Sequence, residues 1–198
     1  VLRQISRRAI TAFTYASGRS SSHLDMPIES PVGFLTTLEE TVALARRTAG
    51  PLEAVFKTPV LLVVAPVEAW VELTAVRTAV DPKTSENVSV TMLPTLVFRI
   101  ERPVDKLRVT IGRAAGSDLV MPFAAMSKQH GWFEETAGIW SVGDSGSKNG
   151  TYVDGVKVTK ESTLALRDGA TLRFGDVTAR FLFPASFCGD LRRRLTPR

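Results

Sequence analysis

The stretch IWSVGDSGSKNGTYVDGVKV, residues 139–158, decides the fold class. It contains short runs of alternating apolar and polar residues, separated by the pairs Gly143-Asp144, Asn149-Gly150 and Asp154-Gly155. Asn-Gly and Asp-Gly favour the tight turns of β-hairpins, because these residues adopt positive φ angles at low cost. The stretch therefore predicts consecutive antiparallel strands.

The same two-residue period extends on both sides, from about residue 88 to residue 183. The predicted strands cover residues 88–92, 96–100, 107–111, 118–120, 131–134, 139–142, 151–153, 156–158, 170–174 and 179–183. Regular short strands with hairpin turns are typical of an all-β sandwich, and no helical pattern of ten residues separates them. We therefore expect a mainly β fold, an antiparallel β-sandwich.

A different pattern precedes this region. Residues 33–49 carry apolar side chains every three or four positions and are followed by Gly50-Pro51, which predicts a helix. The β-branched run at 60–64 predicts a buried strand, and residues 67–80 fit a strand or a helix equally well. The sandwich is therefore expected to follow a short helix-containing extension.

The positive charge lies at the two ends of the chain. The formal net charge is +5, but residues 1–20 carry four arginines and no acid, and residues 189–198 carry four arginines against Asp190. The part between them is slightly acidic, whereas a nucleic-acid-binding domain usually carries its positive charge on the folded surface. We therefore expect no nucleic-acid partner.

These patterns predict four segments. Residues 1–25 are expected to be a flexible tail or upstream sequence, since Met26 could be a native start. Residues 26–88 form the helix and strand extension, whose role the sequence does not indicate. Residues 89–187 form the sandwich domain, and residues 188–198 form a basic C-terminal tail.

Several functional classes are excluded by what the sequence lacks. One cysteine, Cys188, and two histidines, His23 and His130, cannot supply an internal disulfide or a cysteine-cluster metal site, so we expect no metal and no cofactor. No apolar run approaches 18 residues, so we expect no membrane contact and a cytoplasmic location.

Catalysis is also not expected. Gly143-Asp144-Ser145-Gly146 is similar to the nucleophile segment of chymotrypsin-like proteases, but a serine nucleophile needs a base and an orienting acid, and the folded body holds only His130. Asp144, Asp154, Asp168 and Asp176 lie in turn sequences, where aspartate caps its own backbone.

Three short motifs remain, and each is weak alone. Gly112-Arg113 follows a predicted strand, Ser127-Lys128-Gln129-His130 begins fourteen residues after Arg113, and residues 149–155 read Asn-Gly-Thr-Tyr-Val-Asp-Gly. In this order and spacing they resemble the forkhead-associated (FHA) domain. Supporting segments lie at 118–120, 168–169 and 173–176, so that the resemblance covers about residues 90–185.

The resemblance implies a phosphothreonine-binding module in which Arg113, Ser127 and Asn149 contact the ligand, while Gly112, His130 and Gly150 support the loops. The chemistry is consistent, because a phosphothreonine carries a charge of about −2 and needs a planar cation and hydrogen-bond donors.

Two lysines complete the predicted site. Lys128 and Lys148 flank the contacts and can add charge. In relatives the residue before the asparagine is often Thr or Ser, and here it is Lys148, which leaves open whether a hydroxyl contact is lost and whether Ser147 replaces it. Ser147 is therefore included among the predicted binding residues.

The expected function is that of a phosphothreonine-dependent, non-enzymatic protein-binding adaptor in Ser/Thr-kinase signalling. Its expected partner is a phosphothreonine-containing protein, with a Ser/Thr kinase upstream. The alternative is a structural scaffold that binds partners through the helix at 33–49 while the phosphosite stays idle.

Overall fold

The structure is a computed structural model and describes residues 35–64, 95–160 and 162–196. The expectations for the tail at 1–25, the segment at 67–80 and the strand at 88–92 lie outside the described residues.

The described residues form twelve strands, two α-helices and one short 3-10 helix. The strands are β1 (Leu35–Thr37), β2 (Val60–Val64), β3 (Thr95–Arg99), β4 (Arg108–Gly112), β5 (Leu119–Val120), β6 (Gly131–Thr136), β7 (Ile139–Asp144), β8 (Thr151–Val153), β9 (Val156–Lys157), β10 (Thr163–Ala165), β11 (Thr171–Phe174) and β12 (Val177–Leu182). The helices are α1 (Leu38–Arg47), the 3-10 helix (Leu52–Ala54) and α2 (Pro184–Leu195). Of these helices, none is long and apolar enough to cross a membrane.

Two sheets pack face to face. One has the strand order β1-β3-β2-β12-β11-β8-β9 and the other β10-β7-β6-β4-β5, and the described pairs are antiparallel except for β4 with β5. The main core lies between them, where Phe174 of the first sheet packs edge to face on Phe133 of the second. The prediction of a mainly β antiparallel sandwich is confirmed, with β5 as the parallel exception.

The hairpin of β8 and β9 shows how the sequence sets the register. Val153 pairs with Val156, so the turn consists of Asp154 and Gly155 alone. Their φ angles of 48° and 86° are both positive. A two-residue turn with two positive φ angles matches the twist of the flanking strands, which is why Asp-Gly predicts it.

The N-terminal extension contributes strands to the sandwich itself. Strand β2 lies between β3 and β12 and pairs with both, with Val60 opposite both Arg99 and Leu182. The buried strand predicted at 60–64 is therefore present. The domain boundary at residue 88 stays a prediction, but strands from both sides of it share one sheet.

Helix α1 begins at Leu38, five residues later than predicted. Thr37 caps it, because its hydroxyl accepts from Glu40 N at 3.1 Å while the Glu40 carboxylate accepts from Thr37 N at 3.0 Å. This reciprocal pair is a capping box and fixes the first turn. The residues before it, Leu35–Thr37, pair with β3 instead of extending the helix.

Helix α2 corrects the expectation of a basic tail at 188–198, because residues 188–195 are helical. Phe187, Cys188 and Leu191 recur at helical spacing and are buried. The run Arg192–Arg194 suggested a solvated tail, but cations in the last turn of a helix interact favourably with its dipole. The arginines end the helix rather than mark a loose segment.

A second core covers the outer face of the seven-stranded sheet. Side chains alternate along a strand, so Val60, Val97 and Leu182 point away from the main core and pack against the helices. Phe56 and Phe187 meet edge to face there, with ring centroids 5.3 Å apart. Segments from both ends of the described chain therefore stabilise one sheet face.

Substitution of Phe187 by alanine should lower the free energy of unfolding by about 3–5 kcal/mol, because a fully buried aromatic side chain leaves a cavity. Urea denaturation measures the change. Leu44→Ala is the control, since this α1 side chain is 50% exposed and should change stability by less than about 0.5 kcal/mol. Equal effects would contradict a second core at α2.

Candidate functional site

A surface groove of about 720 Å³ lies where three loops meet at one edge of the five-stranded sheet. The register explains the convergence, because Ile111 pairs with Gly131 and Gly131 pairs with Asp144. The end of β4, the start of β6 and the end of β7 thus share that edge. The groove is lined by Arg113, Ala114, Ala124, Ala125, Met126, Ser127, Lys128, Gln129, Lys148 and Asn149.

Five of the six predicted binding residues line this groove: Arg113, Ser127, Lys128, Lys148 and Asn149. The sixth, Ser147, does not. Ala114, Ala124, Ala125, Met126 and Gln129 also line the groove, and the sequence motifs did not mark them as binding residues.

Gly112 allows the first two loops to touch. A Cβ built on it would lie 2.2 Å from the Lys128 carbonyl oxygen, a distance that no side chain permits. Beyond it, Arg113 N donates to Ser127 O at 3.0 Å and Ala114 N donates to Lys128 O at 3.2 Å. The geometry supports the predicted structural role of Gly112.

The Arg113 side chain is left for a ligand. It is exposed, and its guanidinium has no hydrogen-bond or ion-pair partner within the described part of the chain. Only its backbone is used, in the contact with Ser127. A free guanidinium above a fixed backbone suits an anionic ligand, since its planar fork matches phosphate geometry.

Ser127 uses three of its polar groups inside the protein, the first being the carbonyl oxygen that accepts from Arg113 N. Its N–H donates to His130 Nδ1 at 3.1 Å, and its Oγ accepts from Lys148 N at 3.0 Å. The Ser127 N–H is therefore used inside the protein. The hydroxyl proton remains, because an accepting oxygen can still donate its own proton.

His130 is fully buried and joins two of the loops. Since Nδ1 accepts from Ser127 N, the proton lies on Nε2, which donates to Gly150 O at 3.4 Å. The ring packs edge to face on Phe174. Burial lowers the pKa of this imidazole below its ordinary value, despite the opposing hydrogen bond to Gly150. The contacts support the structural roles predicted for His130 and Gly150.

Asp144 does more than the turn capping that its sequence position predicts. Its buried carboxylate accepts from Gly146 N at 2.8 Å and Ser147 N at 2.7 Å, and also from the hydroxyls of Ser147 at 2.7 Å and Thr151 at 2.6 Å. Burial alone would raise the pKa of this carboxyl group, but these four bonds lower it below its usual value. An ionised carboxylate therefore organises the β7–β8 loop.

Ser147 belongs to this internal network. Its hydroxyl donates to Asp144 Oδ2 and accepts from Gly150 N at 2.9 Å. Its hydroxyl proton thus goes to Asp144, and Ser147 helps to hold the β7–β8 loop. The predicted contact of Ser147 with a ligand stays a prediction.

Asn149 keeps part of its amide free. One Nδ2 hydrogen goes to Ala125 O at 3.1 Å, and the side chain is exposed. The other Nδ2 hydrogen and Oδ1 remain to bind both a carbonyl and an N–H of a ligand backbone. The Ala125 carbonyl has no signature in the sequence, because every residue carries one.

The groove is strongly positive. Arg113, Lys128 and Lys148 line it with exposed side chains, and no acidic residue is among its lining residues. Across residues 35–64, 95–160 and 162–196, no three metal-ligating side chains cluster. The arrangement can hold a dianion through cations, the Ser127 hydroxyl and the Asn149 amide.

Substitutions of Ser147 and Ser127 should differ in their effect on the free energy of unfolding. Ser147→Ala should lower the free energy of unfolding by about 1–3 kcal/mol, because Asp144 loses a donor and the buried Gly150 N–H loses its acceptor. Ser127→Ala should cost less than about 0.5 kcal/mol, since the exposed Lys148 N–H can turn to water. Urea denaturation decides, and the opposite order would exchange their roles.

Acid should weaken the fold through His130. Because its folded-state pKa is lowered, the unfolded chain binds the proton more readily below about pH 6.5, so this contribution to stability is full above that pH and is lost below it. The gap in free energy of unfolding between wild type and His130→Gln should therefore narrow from pH 7.5 to 5.5 in urea titrations. A gap that widens would contradict a neutral buried imidazole.

Residues 109–175 match the family model of the FHA domain. Among curated proteins, none matches the chain. Of the solved structures, EmbR of Mycobacterium tuberculosis, in complex with a low-affinity phosphopeptide, is 27% identical with a TM-score of 0.36, over 41% of this chain and 21% of that one. The chain thus spans about a fifth of EmbR.

Two further solved structures are FHA domains. That of an Arabidopsis thaliana hypothetical protein is 20% identical with a TM-score of 0.44, over 64% of this chain and 85% of that one. The N-terminal FHA domain of Saccharomyces cerevisiae Rad53p, in complex with a phosphothreonine peptide, is 19% identical with a TM-score of 0.39, over 47% and 88%. The family match falls on the three motifs and on the groove they build, so residues 109–175 are the part of this chain that is similar to the FHA domain.

Proposed function

We propose that this FHA domain binds phosphothreonine in a partner protein and acts as a non-enzymatic adaptor. The carrying observation is the set of unused donors around the Ser127 hydroxyl. Arg113 donates its backbone N–H to Ser127 O, and Lys128 follows Ser127 directly in the chain. Both side chains are exposed cations, so a phosphate placed there meets a hydroxyl and two cations, a strong form of charge-assisted recognition.

The peptide around the phosphate is held by Asn149. Its free Oδ1 and second Nδ2 hydrogen can accept from and donate to the backbone on both sides of the phosphothreonine. Such contacts bind the backbone of an extended peptide and do not depend on its side chains. The apolar lining from Ala114, Ala125 and Met126 offers a contact for the threonine methyl group.

The signalling role follows from the ligand. A phosphothreonine is made by a Ser/Thr kinase, so we infer that such a kinase acts upstream of the partner. The match to the FHA family over 109–175 supports this role, because it covers the motifs that carry the groove.

The scaffold alternative finds less support in the helix on which it depends. Leu38, Thr41 and Ala45 of α1 are buried against the rest of the chain. The apolar face that would bind a partner is therefore used inside the protein. A scaffold with an idle phosphosite would bind its partner equally well before and after dephosphorylation.

Calorimetry with matched peptides tests the proposal. A phosphothreonine peptide should bind at about micromolar affinity, the unphosphorylated peptide should not bind, and phosphoserine should bind about five- to tenfold more weakly for want of one methyl group. Arg113→Ala should abolish binding with an unchanged melting temperature, because an exposed arginine adds little folding energy.

Arg102→Ala is the matched control, since Arg102 is equally exposed but lies outside the groove. It should bind like wild type. Equal affinity for the threonine and phosphothreonine peptides would refute the proposed function.

A further inference from the structure

The groove carries more positive charge than one phosphate needs. Three cationic side chains line it, whereas a phosphothreonine brings a charge of about −2 at neutral pH. None of the three is neutralised by the protein, since within the described ranges no acidic side chain contacts Arg113, Lys128 or Lys148. A bound monophosphate would leave one cation without an anionic partner.

Lys148 is the cation placed beside the peptide. Its N–H is fixed on the Ser127 hydroxyl oxygen at 3.0 Å, and the next residue is Asn149, whose amide faces the ligand backbone. Lys148 thus lies between the phosphate contact and the contact to the peptide chain. Its side chain is exposed and extends from a backbone that this hydrogen bond holds.

Lys128 lies at a different position in the groove from Lys148. Its carbonyl accepts from Ala114 N at 3.2 Å, and it follows Ser127 directly in the chain. Lys128 and Arg113 therefore lie together on the side of Ser127 where the first two loops are joined. These two cations suffice to balance the charge of the phosphothreonine itself.

We propose that Lys148 binds a second anionic group of the ligand, a carboxylate or a second phosphate, within about two residues of the phosphothreonine. The distance follows from the four-carbon stem of lysine, which covers about two residues of an extended peptide at roughly 3.5 Å each. The ligand class is thus an acidic or doubly phosphorylated phosphothreonine peptide. This inference rests on the proposed function.

The test uses the full chain and a phosphothreonine peptide with neutral flanks. Single flanking positions, from three before to three after the phosphothreonine, are replaced in turn by Glu, by phosphoserine or by neutral Gln, and affinities are measured by fluorescence anisotropy. Glu at one position within two residues should tighten binding about fivefold, and phosphoserine there should tighten it further. The gain should shrink to less than about twofold in 0.5 M salt, because exposed charges are screened.

Single substitutions test which lysine causes the tighter binding of peptides with an acidic flank. Lys148→Gln should reduce the preference for the acidic flank to less than about twofold, whereas Lys128→Gln should weaken neutral and acidic peptides alike. Lys160→Gln is the matched control, because Lys160 lies against Gly146 of the same loop but does not line the groove, and it should keep the full preference.

Failure of the second anion site and failure of the proposed function give different results. If phosphothreonine peptides bind but no acidic position tightens binding, or if the preference survives Lys148→Gln, the second anion site is wrong and the proposed function stands. If no phosphothreonine peptide binds, or if the acidic peptide binds equally without its phosphate, the proposed function fails and the inference fails with it.

Discussion

The groove depends on the hydrogen bonds that the Asp144 carboxylate accepts. A buried charge is costly unless hydrogen bonds compensate it, and four donors from three neighbouring residues do so here. Because this network takes up Ser147, the next two residues are left at the groove. Lys148 then turns its N–H to Ser127, and Asn149 reaches the Ala125 carbonyl. One carboxylate thus determines which groups of the loop remain for a ligand.

His130 links the β7–β8 loop to the neighbouring loop that carries Ser127. It holds Ser127 N on one side of its ring and Gly150 O on the other, while its own backbone bridges Ile111 and Ser145. The backbones of all three loops are therefore linked before any ligand arrives. A site that is already ordered loses less entropy on binding. The cationic side chains above it remain free to adapt.

The fold could be predicted where the sequence has a period of two, because alternation and Asp-Gly turns act locally. Helix α2 was missed. Its apolar residues, Phe187, Cys188, Leu191 and Leu195, lie close to three consecutive arginines, and they indicate a helix only when a sheet face exists to bury them. The groove residues were found by their motifs. The role of Ser147 was not, because a hydroxyl beside a binding loop can face the ligand or an internal acceptor, and only the position of Asp144 decides between them.

The division of polar groups sets the character of binding. Neutral donors of the loops, such as the N–H groups of Arg113, Ser127 and Lys148, are spent on joining the loops. Under the proposed function, the ligand charge is met mainly by exposed cations, whose charge-assisted hydrogen bonds contribute about 1.5–3 kcal/mol each and are weakened by salt. A few such contacts give a moderate affinity for a single phosphate. Under the proposed function, selectivity comes from where the peptide places its other charges, and Lys148 is the groove cation next to Asn149 in the chain.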